Sequence, residues 1–301
     1  MDTSNRKTRF YGHILAALSV GVWGTTYIST KVLLRTFEPI EILFIRFVIG
    51  FIVLFIMSPH ILKTKSLKEE LYFLGAGVTG ITAYYYLEHF ALKFTLATNV
   101  GVIISVAPFF TGLILQLINR KNRVLNRNFI IGFIIAMTGV VFLNFNGNAE
   151  FAVSPFGDFL AVMAALCWSF YSLFSRKVMG MGYDVIRVTR RMFLYGIVFM
   201  LPIVAGQGFH VTAEEIFRPV NLLNLLFLGI VACSLCFIMW NYATGAIGPV
   251  KTSVYIYVTP VVTTVTAALI LGEPVTWAAV VGIVLALSGL IISERNPAAK
   301  G

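Results

Sequence analysis

Long apolar runs separated by short polar segments make up most of the chain from residue 13 to residue 292. Each run approaches the roughly 20 residues that an α-helix needs to cross the hydrocarbon core of a bilayer. A transmembrane β-barrel would instead alternate apolar and polar positions in segments of about ten residues. The pattern therefore predicts ten transmembrane helices, over 13–34, 39–57, 71–92, 97–118, 129–145, 155–174, 188–204, 222–244, 250–271 and 275–292.

Composition excludes an ordinary water-soluble globule. Of the 301 residues, 58% are hydrophobic and only 12% are charged, and the mean hydropathy is +0.87. Soluble domains usually carry about twice that share of charged residues. The gaps between the runs are short, and the longest is Gly206–Asn221, so no room remains for a soluble domain. We therefore predict an all-α integral membrane protein.

The distribution of basic residues predicts the orientation. The formal net charge is +10, but Lys and Arg are spread over the gaps rather than gathered in one patch, which argues against a nucleic-acid partner. With the N-terminus placed in the cytoplasm, 15 basic residues fall in cytoplasmic segments and 4 on the opposite side. Short loops rich in Lys and Arg remain in the cytoplasm. The sequence thus predicts a multi-pass protein of the cytoplasmic membrane with cytoplasmic N- and C-termini.

The two halves of the chain can be aligned with each other. Matched pairs, with an offset that rises from 145 to 152, are Trp23 with Trp168, Arg46 with Arg191, Ala91 with Ala243 and Pro108 with Pro260. Each half, residues 1–150 and 151–301, then carries five helices. Because five is odd, the second half enters the membrane from the opposite side, as in the inverted repeats of many secondary transporters.

Several of the matched stretches also carry a resemblance to a known family. In the first half they are VWGTTYISTK, Arg46 and ATNVGVIISVAP; in the second they are ALCWSFYSLFSRK, Arg191, GPVKTSVYIYVTPVV and LGEP. In span count, repeat and motif order, the chain resembles the EamA family of the drug/metabolite transporter superfamily over nearly its whole length. One departure is visible after the fourth helix of each half, where the second half has Gly272-Glu273 and the first has Arg120-Lys121.

The resemblance implies a carrier whose central cavity is lined mainly by helices 1, 3, 4, 6, 8 and 9. Members of the family move amino acids, other metabolites, nucleotide sugars or drugs, often outward. We expect a secondary transporter that moves small metabolites by alternating access. The preferred expectation is export of amino acids or related compounds. Drug-, nucleotide- or lipid-like substrates are the alternative. No cofactor is expected, and the Walker motifs for ATP are absent from the sequence.

An intramembrane enzyme is the alternative from another class. Neither Gly-x-Ser-x-Gly nor His-Glu-x-x-His occurs, and an Asp-rich metal motif is absent. Cys167, Cys233 and Cys236 lie in apolar runs without the neighbouring ligands of a metal site, so we expect them to be packing residues. The sequence therefore predicts a protein that is not an enzyme and holds no metal.

Ionisable residues inside the apolar runs are candidate functional groups, because charges in lipid are costly. Arg46 lies about 10 Å into the second helix at 1.5 Å per residue, and Glu88 lies at a similar depth in the third. We expect the two to pair, as a structural bridge or as part of a gate. Glu88 is also the candidate for proton coupling, with Tyr84 one turn earlier and His89 beside it. Arg191 is expected at the lipid headgroups, at the inner gate or against an anionic substrate.

Aromatic and polar side chains in the expected lining helices complete the predicted substrate site. Aromatics make up 14% of the chain and suit amphipathic or aromatic substrates; for the tryptophans, helix packing is the alternative. Lys251 is expected to present a cation to a carboxylate or phosphate, or else to be a boundary lysine. Pro108 and Pro260 are expected to be matched hinges. The expected cavity residues are Trp23, Tyr27, Tyr84, Glu88, Asn99, Trp168, Tyr171, Trp240, Asn241, Lys251 and Tyr255.

The expected partners are a small-molecule substrate and the lipid bilayer. Proton coupling is one possibility for the energy source, beside substrate gradients and exchange. Small-residue pairs on the fifth and tenth helices permit close helix packing and leave the choice between monomer and homodimer open. These pairs are Gly132 with Gly139 and Gly282 with Gly289.

Overall fold

The structure, a computed structural model, describes residues 3–91, 94, 100, 103–119, 125–144, 154–271 and 276–294. Within these ranges, side chains are not described for 3–5, 27, 31, 143, 144, 267, 270, 271 and 294. The described part of the chain is built of helices and contains no strand.

The first half of the chain contains helices α1 to α5. Helix α3 runs continuously from 67 to 91 in three parts, of which the middle one is π-helical. The bounds are α1 Thr3–Leu33, α2 Pro39–Met57, α3 Leu67–Gly77 with Val78–Ala83 and Tyr84–Ala91, α4 Ala107–Ile118 and α5 Arg127–Asn144.

The second half contains helices α6 to α10 and one short helix, Ala213–Phe217, between α7 and α8. Helix α8 has a π-helical middle part, and α9 contains a 3₁₀ turn. The bounds are α6 Pro155–Met179, α7 Val185–Gln207, α8 Pro219–Leu226 with Phe227–Leu235 and Cys236–Ile247, α9 Pro249–Val254 with Tyr255–Tyr257 and Val258–Leu271, and α10 Trp277–Glu294.

Several helices are suited to a bilayer by length and composition. Four are long and apolar enough to cross it, namely Pro39–Met57, Pro155–Met179, Val185–Gln207 and Pro219–Ile247. Ala107–Ile118, Arg127–Phe142 and Trp277–Ser293 are shorter apolar helices. Each of these helices overlaps a predicted span, but α1 begins ten residues before its span, α4 begins ten residues after the start of its span, and the predicted 206–221 gap contains a helical turn. The fold is thus an all-helical, multi-pass membrane fold.

The surface of the bundle is apolar where lipid would cover it. Large side chains such as Ile56, Phe199 and Leu269 are exposed on the outside. On a soluble protein, such continuous apolar surface would mark an interaction or aggregation site. In a bilayer, the same surface is in contact with the apolar hydrocarbon chains of the lipids.

Local sequence determines where several helices begin. Proline is favoured in the first helical turn, because its missing N–H would have no helical partner there. At the start of α7, Asp184 accepts a hydrogen bond from the backbone N–H of Arg187 at 3.1 Å. Gly248, with φ of 90°, ends α8 and lets the chain reverse directly into α9. The helices that begin at a proline start at Pro39, Pro155, Pro219 and Pro249.

Helices α5 and α10 approach each other so closely that a Cβ atom would clash at the glycines of the contact. A Cβ on Gly139 would lie 2.4 Å from the backbone nitrogen of Ala286, and one on Gly289 would lie 2.5 Å from that of Ala136. The small residues predicted on these helices therefore pack α5 against α10 within the chain.

The π-helical segments of α3 and α8 make matched contacts with the other half. Thr82 Oγ1 donates to the carbonyl of Gly196 in α7 at 2.8 Å, and Ser234 Oγ donates to the carbonyl of Gly50 in α2 at 3.3 Å. Thr82 and Ser234 are 152 residues apart. π-Helical insertions are rare and often occur at functional sites, and these two lie beside the site described next.

Candidate functional site

A cavity of about 90 Å³ lies between helices of the two halves. It lies toward the end of the bundle that carries segments 34–38 and 208–218, here named the upper end; segments 58–66 and 180–184 lie at the lower end. The wall is formed by α1, α2, α3 and the segment before α4, and by α6 and α9. The lining residues are Trp23, Thr26, Thr30, Arg46, Tyr84, Tyr85, Glu88, His89, Ile104, Trp168, Ile256 and Thr259.

Arg46 brings a buried cation to the cavity from α2. Its side chain is 3% exposed, and its Nε donates to Cys233 Sγ at 3.1 Å. The guanidinium carbon lies 4.9 Å from the ring centroid of Tyr85 and 5.4 Å from that of Phe47. Among the described residues, its two Nη nitrogens have no hydrogen-bond acceptor. Within the part of the chain that the structure describes, the terminal N–H groups of this cation are therefore without an acceptor at the cavity wall.

Glu88 and His89 enter the cavity from α3. The hydroxyl of Tyr84 donates to Glu88 Oε1 at 3.2 Å, and His89 Nδ1 lies 3.7 Å from Glu88 Oε2. His89 Nδ1 is also 2.8 Å from the carbonyl oxygen of Tyr85. Because a carbonyl only accepts, Nδ1 carries the proton; in the neutral form of the ring, Nε2 is then an acceptor. This Nε2 is buried and has no partner among the described residues.

Arg46 and Glu88 line the same cavity from two helices. The contacts of Arg46 are with the Cys233 thiol and two aromatic rings, and a direct pair with Glu88 is not among the described contacts. The two residues thus bring opposite charges to one wall, and their pairing stays a prediction. Their coupling in a gate stays a prediction.

Three tryptophans form a ring cluster at the cavity. The ring centroids of Trp23 and Trp168 are 5.5 Å apart, and Trp240 lies 5.1 Å from Trp23. Trp23 Nε1 donates to the carbonyl of Ala232 at 3.0 Å. Trp168 Nε1 is buried without a partner among the described residues. Trp23 therefore packs as well as lines the cavity, whereas Trp168 brings an unused donor to it.

A buried polar network closes the bundle below the cavity. Asn241 Oδ1 accepts hydrogen bonds from the hydroxyls of Tyr171 and Ser175, each at 2.7 Å, and its Nδ2 donates to Thr189 Oγ1 at 3.0 Å. The amide thereby joins α6, α7 and α8. Tyr171 and Asn241 are expected from the sequence at the cavity, but the structure places them in this network, because their hydrogen-bond partners lie on neighbouring helices. Trp240, also expected there, is fully buried against Trp23 and Trp168 and does not line the cavity.

The remaining expected cavity residues lie elsewhere. Tyr255 OH is 2.8 Å from His13 Nδ1 in the lower half, and Lys251 is partly exposed at the lower start of α9; neither lines the cavity. Lys251 therefore occupies the boundary position that was its alternative interpretation. Outside the described residues or side chains lie Tyr27, Asn99, Arg120, Lys121, Gly272 and Glu273.

Arg191 forms an ion pair at the lower end. Its Nη2 lies 2.6 Å from Glu70 Oε1, its Nε donates to the same oxygen at 2.7 Å, and the Tyr195 hydroxyl also donates there. Nearby, the Tyr183 hydroxyl donates to Glu69 Oε2 at 2.6 Å. We call these five residues the lower latch. Because the latch joins α3 to α7 and the loop before it, it fits the gate interpretation of Arg191 better than the headgroup one.

Glu70 precedes the predicted apolar span, which begins at residue 71. Burial alone would raise the pKa of this carboxyl, but hydrogen bonds from Tyr195, Thr64 and Arg191 outweigh burial and lower the pKa below its ordinary value. The latch therefore holds an ionised carboxylate at neutral pH.

Pro108 and Pro260 follow matched irregularities of the backbone. A turn precedes α4, and a 3₁₀ turn precedes Pro260 within α9. Proline lacks the N–H that would bond the carbonyl four residues earlier, here Ile104 and Ile256, and both of these residues line the cavity. Irregular backbone thus flanks the cavity on both halves, while a hinge role stays a prediction.

Sequence reasoning missed several residues of the wall. Thr26 and Thr30 follow Trp23 by three and seven residues, which places all three on one face of α1. That spacing could have identified them. Among the described residues, no group of three His, Cys, Asp or Glu side chains is placed to hold a metal ion.

Sequence comparisons with known proteins match this chain to transporters. The sequence profile of the EamA-like transporter family matches the chain over residues 10–145 and again over 155–294. An uncharacterized transporter of Archaeoglobus fulgidus is 26% identical over 94% of this chain and 97% of the relative. An uncharacterized transporter of Clostridium kluyveri is 27% identical over 95% of this chain and 93% of the relative.

A solved structure supports the fold. The crystal structure of one protein superposes on this chain with a TM-score of 0.76 at 17% identity, covering 94% of this chain and 97% of that one. At this identity, the likeness concerns the fold alone.

Proposed function

The chain belongs to the EamA-like transporter family, which makes it a membrane transporter rather than an enzyme, and we propose that it is a secondary carrier working by alternating access. The proposed substrates are amino acids or related small metabolites, and the proposed direction is export; both rest on the family resemblance. Drug-, nucleotide- and lipid-like substrates are the alternative. The distribution of basic residues favours the cytoplasmic membrane with both termini in the cytoplasm.

The proposed architecture is ten spans arranged as two inverted five-helix repeats, residues 1–150 and 151–301. Two successive matches to one family profile support it. The matched π-helical segments support it too, because each contacts the second helix of the opposite half through an equivalent hydrogen bond. Inverted repeats place a substrate site at their interface, which is where the cavity lies.

The observation that carries the proposal is the contrast between the two ends of the bundle. The cavity lies toward the upper end, whereas the Asn241 network and the lower latch close the layers beneath it. An alternating-access carrier closes one end while its site communicates with the other. The lower latch joins α3 of one half to α7 of the other, so its release would allow the halves to separate below the site.

Glu88 is the proposed coupling residue. The residue is 5% exposed and lines the cavity, and its carboxylate accepts a hydrogen bond from the Tyr84 hydroxyl. A buried carboxylate at a substrate site can take up a proton when the site changes its exposure to water. Proton binding and substrate binding would then depend on each other.

The test is transport into proteoliposomes with a panel of labelled amino acids at matched and opposed pH gradients. We expect saturable uptake that a pH gradient accelerates and that Glu88→Gln reduces at least roughly tenfold. Glu214→Gln, on the exposed short helix 213–217, is the matched acid control and should leave uptake unchanged.

Saturable uptake that does not depend on pH and persists in Glu88→Gln would overturn the proposed proton coupling. The proposed carrier function would then stand without it. If no amino acid is taken up, the substrate proposal is wrong, and the same assay with nucleotide-, lipid- and drug-like compounds tests the alternative.

A further inference from the structure

We propose that the cavity holds a zwitterionic amino acid in one orientation, with the carboxylate on Arg46 and Trp168 and the ammonium group on the His89 and Glu88 side. This inference rests on the proposed carrier function and names the groups that recognise the substrate. It assigns the anion-binding role to Arg46, which the sequence suggested for Lys251.

Arg46 has the chemistry and position of a carboxylate anchor. A buried guanidinium whose terminal nitrogens find no acceptor in the described part of the chain bears a desolvation cost that a bound anion would offset. Its planar fork of N–H donors matches the two oxygens of a carboxylate. Its Nε is already directed to Cys233, so the Nη pair is the part available to a ligand.

Trp168 supplies a second donor on the same wall. Its Nε1 is buried without a partner among the described residues, although an indole N–H normally finds an acceptor when buried. An oxygen of the ligand would satisfy it. Trp23, by contrast, donates to the carbonyl of Ala232 and needs no ligand.

The α3 side of the cavity has the opposite preference. His89 Nε2 is buried and has no partner among the described residues, and Glu88 Oε2 lies 3.7 Å from Nδ1 of the same ring. An ammonium group supplies three N–H donors and a positive charge.

Opposite charges on one wall select against singly charged ligands. A simple carboxylate would meet the Glu88 charge, and a simple amine would meet the Arg46 charge. A molecule that carries both groups satisfies both sides. The surrounding rings of Tyr84, Tyr85 and Trp168 suit an apolar side chain.

The experiment measures equilibrium binding to the purified full-length protein for the 20 L-amino acids, their amides and the corresponding acids without the amine. We expect at least one amino acid to bind roughly 10- to 100-fold more tightly than either analogue, the range for a charge-assisted hydrogen-bond pair. Arg46→Gln should reduce binding of that amino acid to the level of its amide and change amide binding by less than about threefold. Lys177→Gln, an exposed cation on α6, is the control without effect.

Arg46→Lys keeps the charge but not the fork, so it should give an intermediate affinity. If Arg46→Gln does not fold, the amide comparison in the wild type and the Lys variant carry the test. Equal binding of an amino acid and its amide, or no binding of any amino acid, overturns the inference.

Counterflow in proteoliposomes separates this inference from the carrier function. Saturable exchange of an amino acid that is indifferent to Arg46→Gln would retain the carrier and overturn the anchor. Tight binding that depends on Arg46, without any exchange, would support the carboxylate-binding role of Arg46 and overturn the proposed carrier function.

Discussion

Arg46 and Arg191 occupy matched positions in the two halves, but their surroundings differ. Arg46 contacts a thiol and two rings, with no acceptor among the described residues for its terminal nitrogens, whereas Arg191 is paired with Glu70. At the 152-residue offset that relates Thr82 to Ser234, the position matching Glu70 is Leu222. Arg46 therefore lacks an acid at the position that corresponds to Glu70, the partner of Arg191. The two halves share a backbone arrangement here but differ in the charged side chains that they place on it.

The packing around these arginines is closely similar in the two halves. A Cβ on Gly77 would lie 2.5 Å from the carbonyl oxygen of Met192, next to Arg191. A Cβ on Gly229 would lie 2.5 Å from Ile49 Cγ2 and 3.2 Å from the carbonyl oxygen of Arg46. Each π-helical helix thus approaches the second helix of the other half at a glycine, and the difference between the halves lies in their charges.

The largest expected effect is on ligand selectivity. Arg191→Gln should leave the preference for an amino acid over its amide within about threefold of the wild type, whereas Arg46→Gln should remove a preference of roughly 10- to 100-fold. The reason is that only Arg46 lines the cavity.

Hydrogen exchange of residues 58–70 supplies the complementary measurement. We expect roughly fivefold faster exchange in Arg191→Gln, because the ion pair to Glu70 is lost, and wild-type exchange in Arg46→Gln. The assignment of separate roles would be wrong if both variants lost selectivity or both loosened this segment.

A smaller effect is expected on stability from the matched glycines. Gly77→Ala should lower the free energy of unfolding by about 2–3 kcal/mol, because the new methyl group meets a backbone carbonyl that has no rotamer to change. Gly229→Ala should cost about 1 kcal/mol, since the side chain of Ile49 can shift. Thermal unfolding of both variants in detergent measures the difference. Equal losses would show that the halves do not differ in this contact.

The smallest expected effect is a pH dependence of the lower latch. The folded-state pKa of Glu70 is lowered from an ordinary value of 4.5, so its contribution is present above that pH and is lost as the pH falls through the depressed value. After division by the intrinsic exchange rate at each pH, the protection of residues 58–70 should therefore fall on acidification in the wild type and less so in Glu70→Gln. Glu214→Gln should behave as the wild type. Parallel curves for the wild type and Glu70→Gln would exclude Glu70 as the titrating group.

The sequence was sufficient for the helical membrane fold because lipid requires long apolar runs, which are visible without any structure. It also identified Trp23, Arg46, Tyr84, Glu88 and Trp168, which the structure brings to one cavity, since charges and large polar rings stand out in apolar helices.

What the sequence could not provide is the rotation of each helix and the identity of its neighbours. Tyr171 is less than one turn from Trp168, yet it donates to Asn241 beneath the cavity. Glu70 and Arg191 are 121 residues apart, so their pair depends on the packing of α3 against α7. The sequence suggests Lys251 as a cation near the substrate. In the structure, Lys251 lies at the lower start of α9 and does not line the cavity.

The ring cluster also gives the protein a built-in optical reporter. Of the four tryptophans, Trp23 and Trp168 line the cavity and Trp240 contacts both, whereas Trp277 is 74% exposed on the outside of the bundle. Replacing Trp277 by Phe would confine tryptophan fluorescence to the three indole rings of this cluster. Emission would then follow the polarity of that space as a ligand displaces water from it, with no dye attached.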